Sequence, residues 1–203
     1  MASAAIGLLA FRAFKRSRSP IIETKFCCPC GKVKGTIRAK YEDSSRIHCC
    51  CTDCRAYTKA VAALGGKVKP LIHDYGEAHL CQVCKSDVTI DEGLEHIKLA
   101  RKGPSQGMHR YYTGCCSVPL MNTFDFLGFV ALYEDHLDEH HKQFHGPSVF
   151  CEHEAEKPFD LPIPKASTPR FLWNVLRYMP WRHSGPFDYT LEPLYWGDNK
   201  KKN

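Results

Sequence analysis

Between His48 and Arg55 the chain reads His-Cys-Cys-Cys-Thr-Asp-Cys-Arg, and this stretch constrains the fold more than any other. Cys49, Cys51 and Cys54 form a C-x-C-x-x-C triplet. Alternate residues of an extended strand point to the same side, so Cys49 and Cys51 can face one point. A turn then returns Cys54 to it. Three thiolates converging in this way can hold a zinc ion and leave its fourth position unfilled. That is the pattern of a catalytic zinc, whereas a structural zinc is closed by four protein ligands.

The other cysteines support metal over disulfides. The chain has 12 cysteines in 203 residues, several in adjacent clusters: Cys27-Cys28, Cys49-Cys50-Cys51 and Cys115-Cys116. Neighbouring cysteines seldom meet disulfide geometry, and C-x-C and C-x-x-C spacings in a reduced compartment more often bind metal. The expected compartment is therefore a reducing, intracellular one. Hydrophobic residues at 43% and charged residues at 25% suit a soluble globular domain with extensions. The net charge of +6 sits largely at the two ends and does not by itself signal nucleic acid. No apolar run reaches the ~18 residues of a membrane span.

Three regions are expected. Residues 1–22 contain no acid and carry an apolar stretch followed by Arg12, Lys15, Arg16 and Arg18. They read either as an organelle transit peptide, mitochondrial or plastid, or as a basic tail on a cytoplasmic protein. Residues 23–135 form the main domain, with short strands, frequent turns and one short helix. Cys28-Pro29-Cys30-Gly31 is a tight turn presenting two thiols. Val33, Gly35, Ile37, Ala39 and Tyr41 alternate with polar residues, predicting a half-buried strand. Arg46 to Cys51 predicts a second strand, and Asp53 to Leu64 a short helix stopped by Gly65-Gly66. Val88 and Ile90 mark a third strand. Asp91-Glu92-Gly93 is a hairpin turn signal, with Leu94 to Leu99 as the return strand. Phe124 to Tyr133 is a buried run. Residues 136–203 form a C-terminal extension. It holds a histidine cluster from His136 to His153, a proline-rich stretch, and an amphipathic docking helix at about 168–180 with Phe171, Leu172, Val175, Leu176 and Met179 on one face.

The order Cys28-Pro29-Cys30-Gly31, a strand, Cys49 to Arg55, and then Arg110 to Ser117 resembles the glutathione-dependent formaldehyde-activating enzyme and centromere protein V family over roughly residues 26–135. The resemblance implies a mainly β fold, a tent of small packed antiparallel sheets, and two zinc sites. It implies that Cys49, Cys51 and Cys54 hold the catalytic zinc. It also implies that Cys28 and Cys30 belong to a structural zinc completed by a late C-x-x-C. The chain departs from the family there: Tyr112 stands for the first late cysteine, Cys115 for the second, and Cys116 for a glycine. Cys50 replaces the histidine common inside the triplet. The fourth structural ligand is open between Cys116 and Cys27, and Cys116 can alternatively reach the triplet and close it.

Three thiolates on Zn²⁺ carry a formal charge of −1, which weakens the metal as a Lewis acid and favours a soft ligand such as a substrate thiolate. The expected function is zinc-dependent carbon–sulfur lyase chemistry on a thiol adduct such as S-hydroxymethylglutathione. In it, Arg55 would orient a carboxylate of glutathione, and His48, Asp53 and His109 are possible proton-transfer partners. The competing reading is a non-catalytic, zinc-stabilised binding module for protein or chromatin. Cys81 and Cys84 form a further C-x-x-C, and the histidines from His136 to His153, with Cys151, are a further metal candidate.

Overall fold

The fold was taken from a computed structural model, which describes residues 18–65, 68–104, 107–157, 185–187 and 190–197. The expected helix at 168–180 and most of the expected leader lie outside these residues. The strands are β1 (Ile21–Cys27), β2 (Lys34–Lys40), β3 (Ser45–Cys49), β4 (Ala78–Cys84), β5 (Val88–Glu92), β6 (Ile97–Arg101), β7 (Met108–Thr113), β8 (Val118–Phe124), β9 (Phe129–Tyr133), β10 (Ser148–Phe150) and β11 (Leu194–Tyr195). Among the described residues one α-helix, α1 (Thr52–Ala62), follows β3. The protein is mainly β, as expected.

The strands form a three-stranded sheet, β1-β2-β5, and an eight-stranded sheet, β10-β3-β4-β9-β8-β7-β6-β11. Pairing is antiparallel except at the two edges, where β10 joins β3 and β11 joins β6 in parallel. Alternation along each strand builds two cores. Ile22, Phe26, Ile37, Ala39 and Val88 of the small sheet pack on Cys81, Val83, Leu99, Leu120, Val130 and Leu132 of the large one. On the opposite face of the large sheet, Leu80, Ala131 and Tyr133 meet Tyr57 and Val61 of α1. The helix sits there because Cys54, Tyr57, Thr58 and Val61, spaced as one helical face, are all buried. The Tyr57 hydroxyl donates to the Tyr111 carbonyl at 2.9 Å and fixes the helix on β7.

The helix starts without a cap of its own. Its first amide, Thr52, instead donates to the Glu154 carboxylate at 2.7 Å, so a distant loop satisfies an orphan helix donor. Gly65, at φ +94°, ends the segment, as the Gly65-Gly66 pair predicts.

Four features differ from the sequence reading. Ile21 and Ile22, placed in the leader, belong to β1, and Ile22 is buried. β5 and β6 are separated by a left-handed Gly93 but do not form a hairpin: β5 pairs with β2, and β6 with β7. The glycine reverses the chain, but the buried faces on either side send the two strands to different sheets. The run Phe124 to Tyr133 is the end of β8, a turn, and β9. The Cys81/Cys84 pair is not a knuckle but part of β4. Three residues apart on a strand means opposite faces, so Cys81 packs between the sheets while Cys84 joins Leu127 and Phe129. Among the described residues no helix is long and apolar enough to cross a membrane.

The close approach of β2 to its neighbours depends on Gly35. A Cβ there would lie 2.1 Å from Phe26 Cζ and 2.3 Å from the Thr89 carbonyl oxygen. Gly35→Ala is expected to cost about 2 kcal/mol, lowering Tm by roughly 4–8 °C; thermal unfolding followed by circular dichroism checks this, with the exposed Lys34→Ala as the unaffected control.

Candidate metal centres

The first centre joins two distant turns. After β1 the chain makes a knuckle in which the Gly31 amide donates to the Cys28 carbonyl at 2.9 Å and Gly31 takes φ +77°. The Val33 amide donates to Cys28 Sγ at 3.3 Å. The turn between β7 and β8 supplies Cys115 and Cys116, with Ser117 in a left-handed conformation at φ 53°. The sulfurs of Cys28 and Cys30 are 3.4 Å apart. Cys115 lies 3.3 Å from Cys30 and 3.9 Å from Cys28, and Cys116 lies 3.9 Å from Cys115. Sulfurs about 2.3 Å from one tetrahedral zinc are roughly 3.8 Å apart, so these four fit the edges of such a site. Cys116 therefore sides with the knuckle and not with the triplet. Cys27 is exposed and turns to the Cys28 carbonyl. Tyr112 packs in the core on the other side of the sheet, with the triplet. The Lys32 amide and the neighbouring thiols bring Cys30 down to about 7, whereas burial pushes Cys115 up to about 12.

The second centre is the triplet. Cys49 ends β3, Cys51 precedes α1 and Cys54 lies in its first turn. Cys49 Sγ is 3.3 Å from Cys51 Sγ and 3.7 Å from Cys54 Sγ. Among the described residues no fourth cysteine, histidine or carboxylate joins them. A buried cation does: Arg110 of β7 donates from Nη1 to Cys54 Sγ at 3.7 Å. Its guanidinium lies over the rings of Tyr57 and Trp196, at 5.1 and 5.6 Å from their centroids. Hydrogen bonds from Cys49 and Cys51, aided by Arg110, hold the Cys54 thiol well below its ordinary range, while Cys49 is raised and Cys51 is pushed up to about 12. Arg110 thus favours a thiolate at Cys54 over its two neighbours. Cys49 and Cys54 are buried, and Cys51 is partly open to solvent.

Several residues expected at this centre have other tasks. Arg55 is engaged by the chain itself. Its Nη1 donates to the carbonyls of Cys50 at 2.9 Å and Glu154 at 2.7 Å, and its Nε is 3.7 Å from Glu156. It clamps the loop after β10 against α1. Asp53 pairs with Lys102 at the surface. His109 points away from Arg110 by strand alternation, toward Arg101, Asp125 and Lys85. His48 likewise faces away from Cys49. The histidines from His136 to His153 do not converge: His136 bonds the Pro119 carbonyl at 2.8 Å, His141 meets Glu134 at 3.5 Å, and His153 is exposed.

Arg110 is the main residue whose role at the triplet sequence reasoning missed. The signal was an arginine inside a strand, followed by Tyr111 and Tyr112. A third group able to hold a metal, His48 with His79 and Glu134, was not foreseen either, because it draws on three separate strands or strand ends.

The family of unknown function DUF6151 matches residues 21–138, more than half of the chain, and the chain belongs to that family. The match spans both sulfur centres. No curated protein matches the chain. A crystal structure of a Rhodobacter sphaeroides protein, a structural genomics target, is similar at 15% identity with a TM-score of 0.40, over 57% of this chain and 88% of that one.

If Cys116 is the fourth ligand of the knuckle centre, Cys116→Ser will release one metal equivalent per chain under mild chelation, read by elemental analysis. Adding Tyr112→Cys to that variant will not restore it, because position 112 packs on the opposite side of the sheet.

Proposed function

We propose that the protein is a zinc-dependent carbon–sulfur lyase acting on the adduct of an aldehyde and a thiol, such as S-hydroxymethylglutathione. On this reading its likeness to the glutathione-dependent formaldehyde-activating enzyme and centromere protein V family reflects shared chemistry. The observation that carries the proposal is the three-sulfur centre without a fourth protein donor among the described residues, made possible because Cys116 is engaged elsewhere.

The residues suit zinc. Their sulfur separations match a tetrahedral edge, and the donor set is soft. Zinc held by Cys49, Cys51 and Cys54 would supply a position that prefers a sulfur ligand to water. Three thiolates and Zn²⁺ carry −1, and Arg110, buried beside Cys54, brings the centre to neutrality. The start of α1 adds its positive dipole end next to Cys51 and Cys54. Trp196 Nε1, buried without a hydrogen-bond partner among the described residues, is a donor available in the same neighbourhood.

In the lyase direction the carbon–sulfur bond of the adduct breaks. The electron pair stays on sulfur, the carbon becomes the aldehyde carbonyl, and the adduct hydroxyl loses its proton. The expected protein bases, His48, Asp53 and His109, all lie away from the triplet. The proton therefore passes to water on the Cys51 side, where the centre is partly open. A hemithioacetal requires no strong protein base for this, so the chemistry agrees with the residues present.

The alternative, a non-catalytic binding module, is favoured by one observation: Arg55, Glu154 and Glu156 tie the loop after β10 close to the triplet and narrow its approach. Exchange spectroscopy by NMR on formaldehyde, glutathione and their adduct separates the two. The zinc-loaded protein is expected to speed interconversion roughly tenfold or more, and a folded Cys54→Ser variant is expected to lose that effect. Zinc-loaded protein that neither speeds the exchange nor binds glutathione would favour the binding module.

A further inference from the structure

We infer that His48, His79 and Glu134 form a third metal site, for a divalent first-row transition-metal ion, on the face of β3 opposite the triplet. One donor atom from each lies within 4.8 Å of the others. The site shares no donor with either sulfur centre and is independent of the lyase reading.

The sheet builds it in register. β3, β4 and β9 are neighbours. His48 pairs directly with His79, and Leu80 pairs with Tyr133, so Glu134 follows at the position beside His79. The three residues form a row across adjacent strands. The two imidazoles are stacked with centroids 3.8 Å apart and planes 10° from parallel, so to share one ion a ring must turn out of the stack, and His48, whose Nε2 has no partner to lose, is the one that can.

Two features point to a cation. His48 is only 8% exposed, yet its Nε2 is buried with no hydrogen-bond partner among the described residues. A buried nitrogen without a partner is costly and calls for a ligand. Its neighbours are also arranged as a metal's outer shell. His79 Nε2 is 3.1 Å from the Glu77 carboxylate, the contact that orients a ligating histidine and leaves its other nitrogen free to bind. Glu134 is held by Arg46 through two bonds of 2.9 Å and by His141 Nε2 at 3.5 Å from Oε2, which fixes the carboxylate and leaves Oε1 the less engaged oxygen for an ion. Two imidazoles and one carboxylate suit iron, cobalt, zinc or manganese and leave positions open. His73 stacks on His79 at 3.6 Å and pairs with Asp135. Side-chain exposure rises to 23% at His79 and 33% at His73, so the column leads from solvent to His48.

Cobalt(II) added to the full-length, zinc-loaded protein tests this. One equivalent per chain is expected to bind without the near-ultraviolet charge-transfer band that cobalt–thiolate bonds produce. His79→Gln and Glu134→Gln are each expected to weaken that equivalent at least tenfold, with the zinc of the sulfur centres retained. A wild-type protein that binds no such equivalent overturns the inference, as does an equivalent that persists in both variants. Should the variants not fold, the cobalt-loaded wild type is read by NMR: two strongly shifted imidazole N–H resonances are expected, and their absence overturns the site.

Discussion

A cluster of four sulfurs, its two turns 87 positions apart, meets where the small sheet joins the large one, and an ion bound there would tie the two together. Cys28 and Cys30 leave β1 of the small sheet, and Cys115 and Cys116 sit between β7 and β8 of the large one. Hydrophobic burial between the sheets is non-directional; the sulfur cluster gives it a fixed relative position. This cluster also determines what the triplet can be. Because the β7–β8 turn, with Ser117 left-handed, directs Cys116 to the knuckle, Cys116 is not left to close the second centre, and Cys151, after β10, does not join it either.

The triplet then depends on charge. Bringing three thiols together in a largely buried place disfavours ionising all of them: Cys49 and Cys51 are raised, while Cys54, beside Arg110, is lowered. A divalent ion would reverse that cost, and Arg110, beside Cys54, would offset the remaining negative charge. Arg110 can be buried because the faces of Tyr57 and Trp196 replace part of its hydration. Arg55, adjacent in sequence to the last thiol, works at one remove: it fixes the loop that supplies Glu154 to the start of α1, and so fixes where Cys51 and Cys54 stand.

The local parts of this arrangement were legible in the sequence. The turn to Cys54, the β2 alternation and the glycine stop after α1 are short-range effects, and each is present, although β3 ends at Cys49 and Cys51 reaches the site from the start of α1. What the sequence did not yield is long-range. Gly93 signalled a reversal but not which sheet each flanking strand would join. Cys81 and Cys84 matched a metal spacing, but their place on a strand separates them. The run of histidines from His136 to His153 drew attention by its density, whereas the histidines that cluster, His48 and His79, lie 31 positions apart and meet only through β3–β4 pairing. Arg55 was adjacent to the site in sequence and Arg110 was not, yet it is Arg110 that touches the sulfur.

The central claim is that one ion sees four protein sulfurs and the other sees three. X-ray absorption at the zinc edge of protein carrying two zinc ions counts them directly. The account predicts an average of three and a half sulfurs per zinc, rising to four when glutathione is added. An average of four before any thiol is present, unchanged by glutathione, would contradict it.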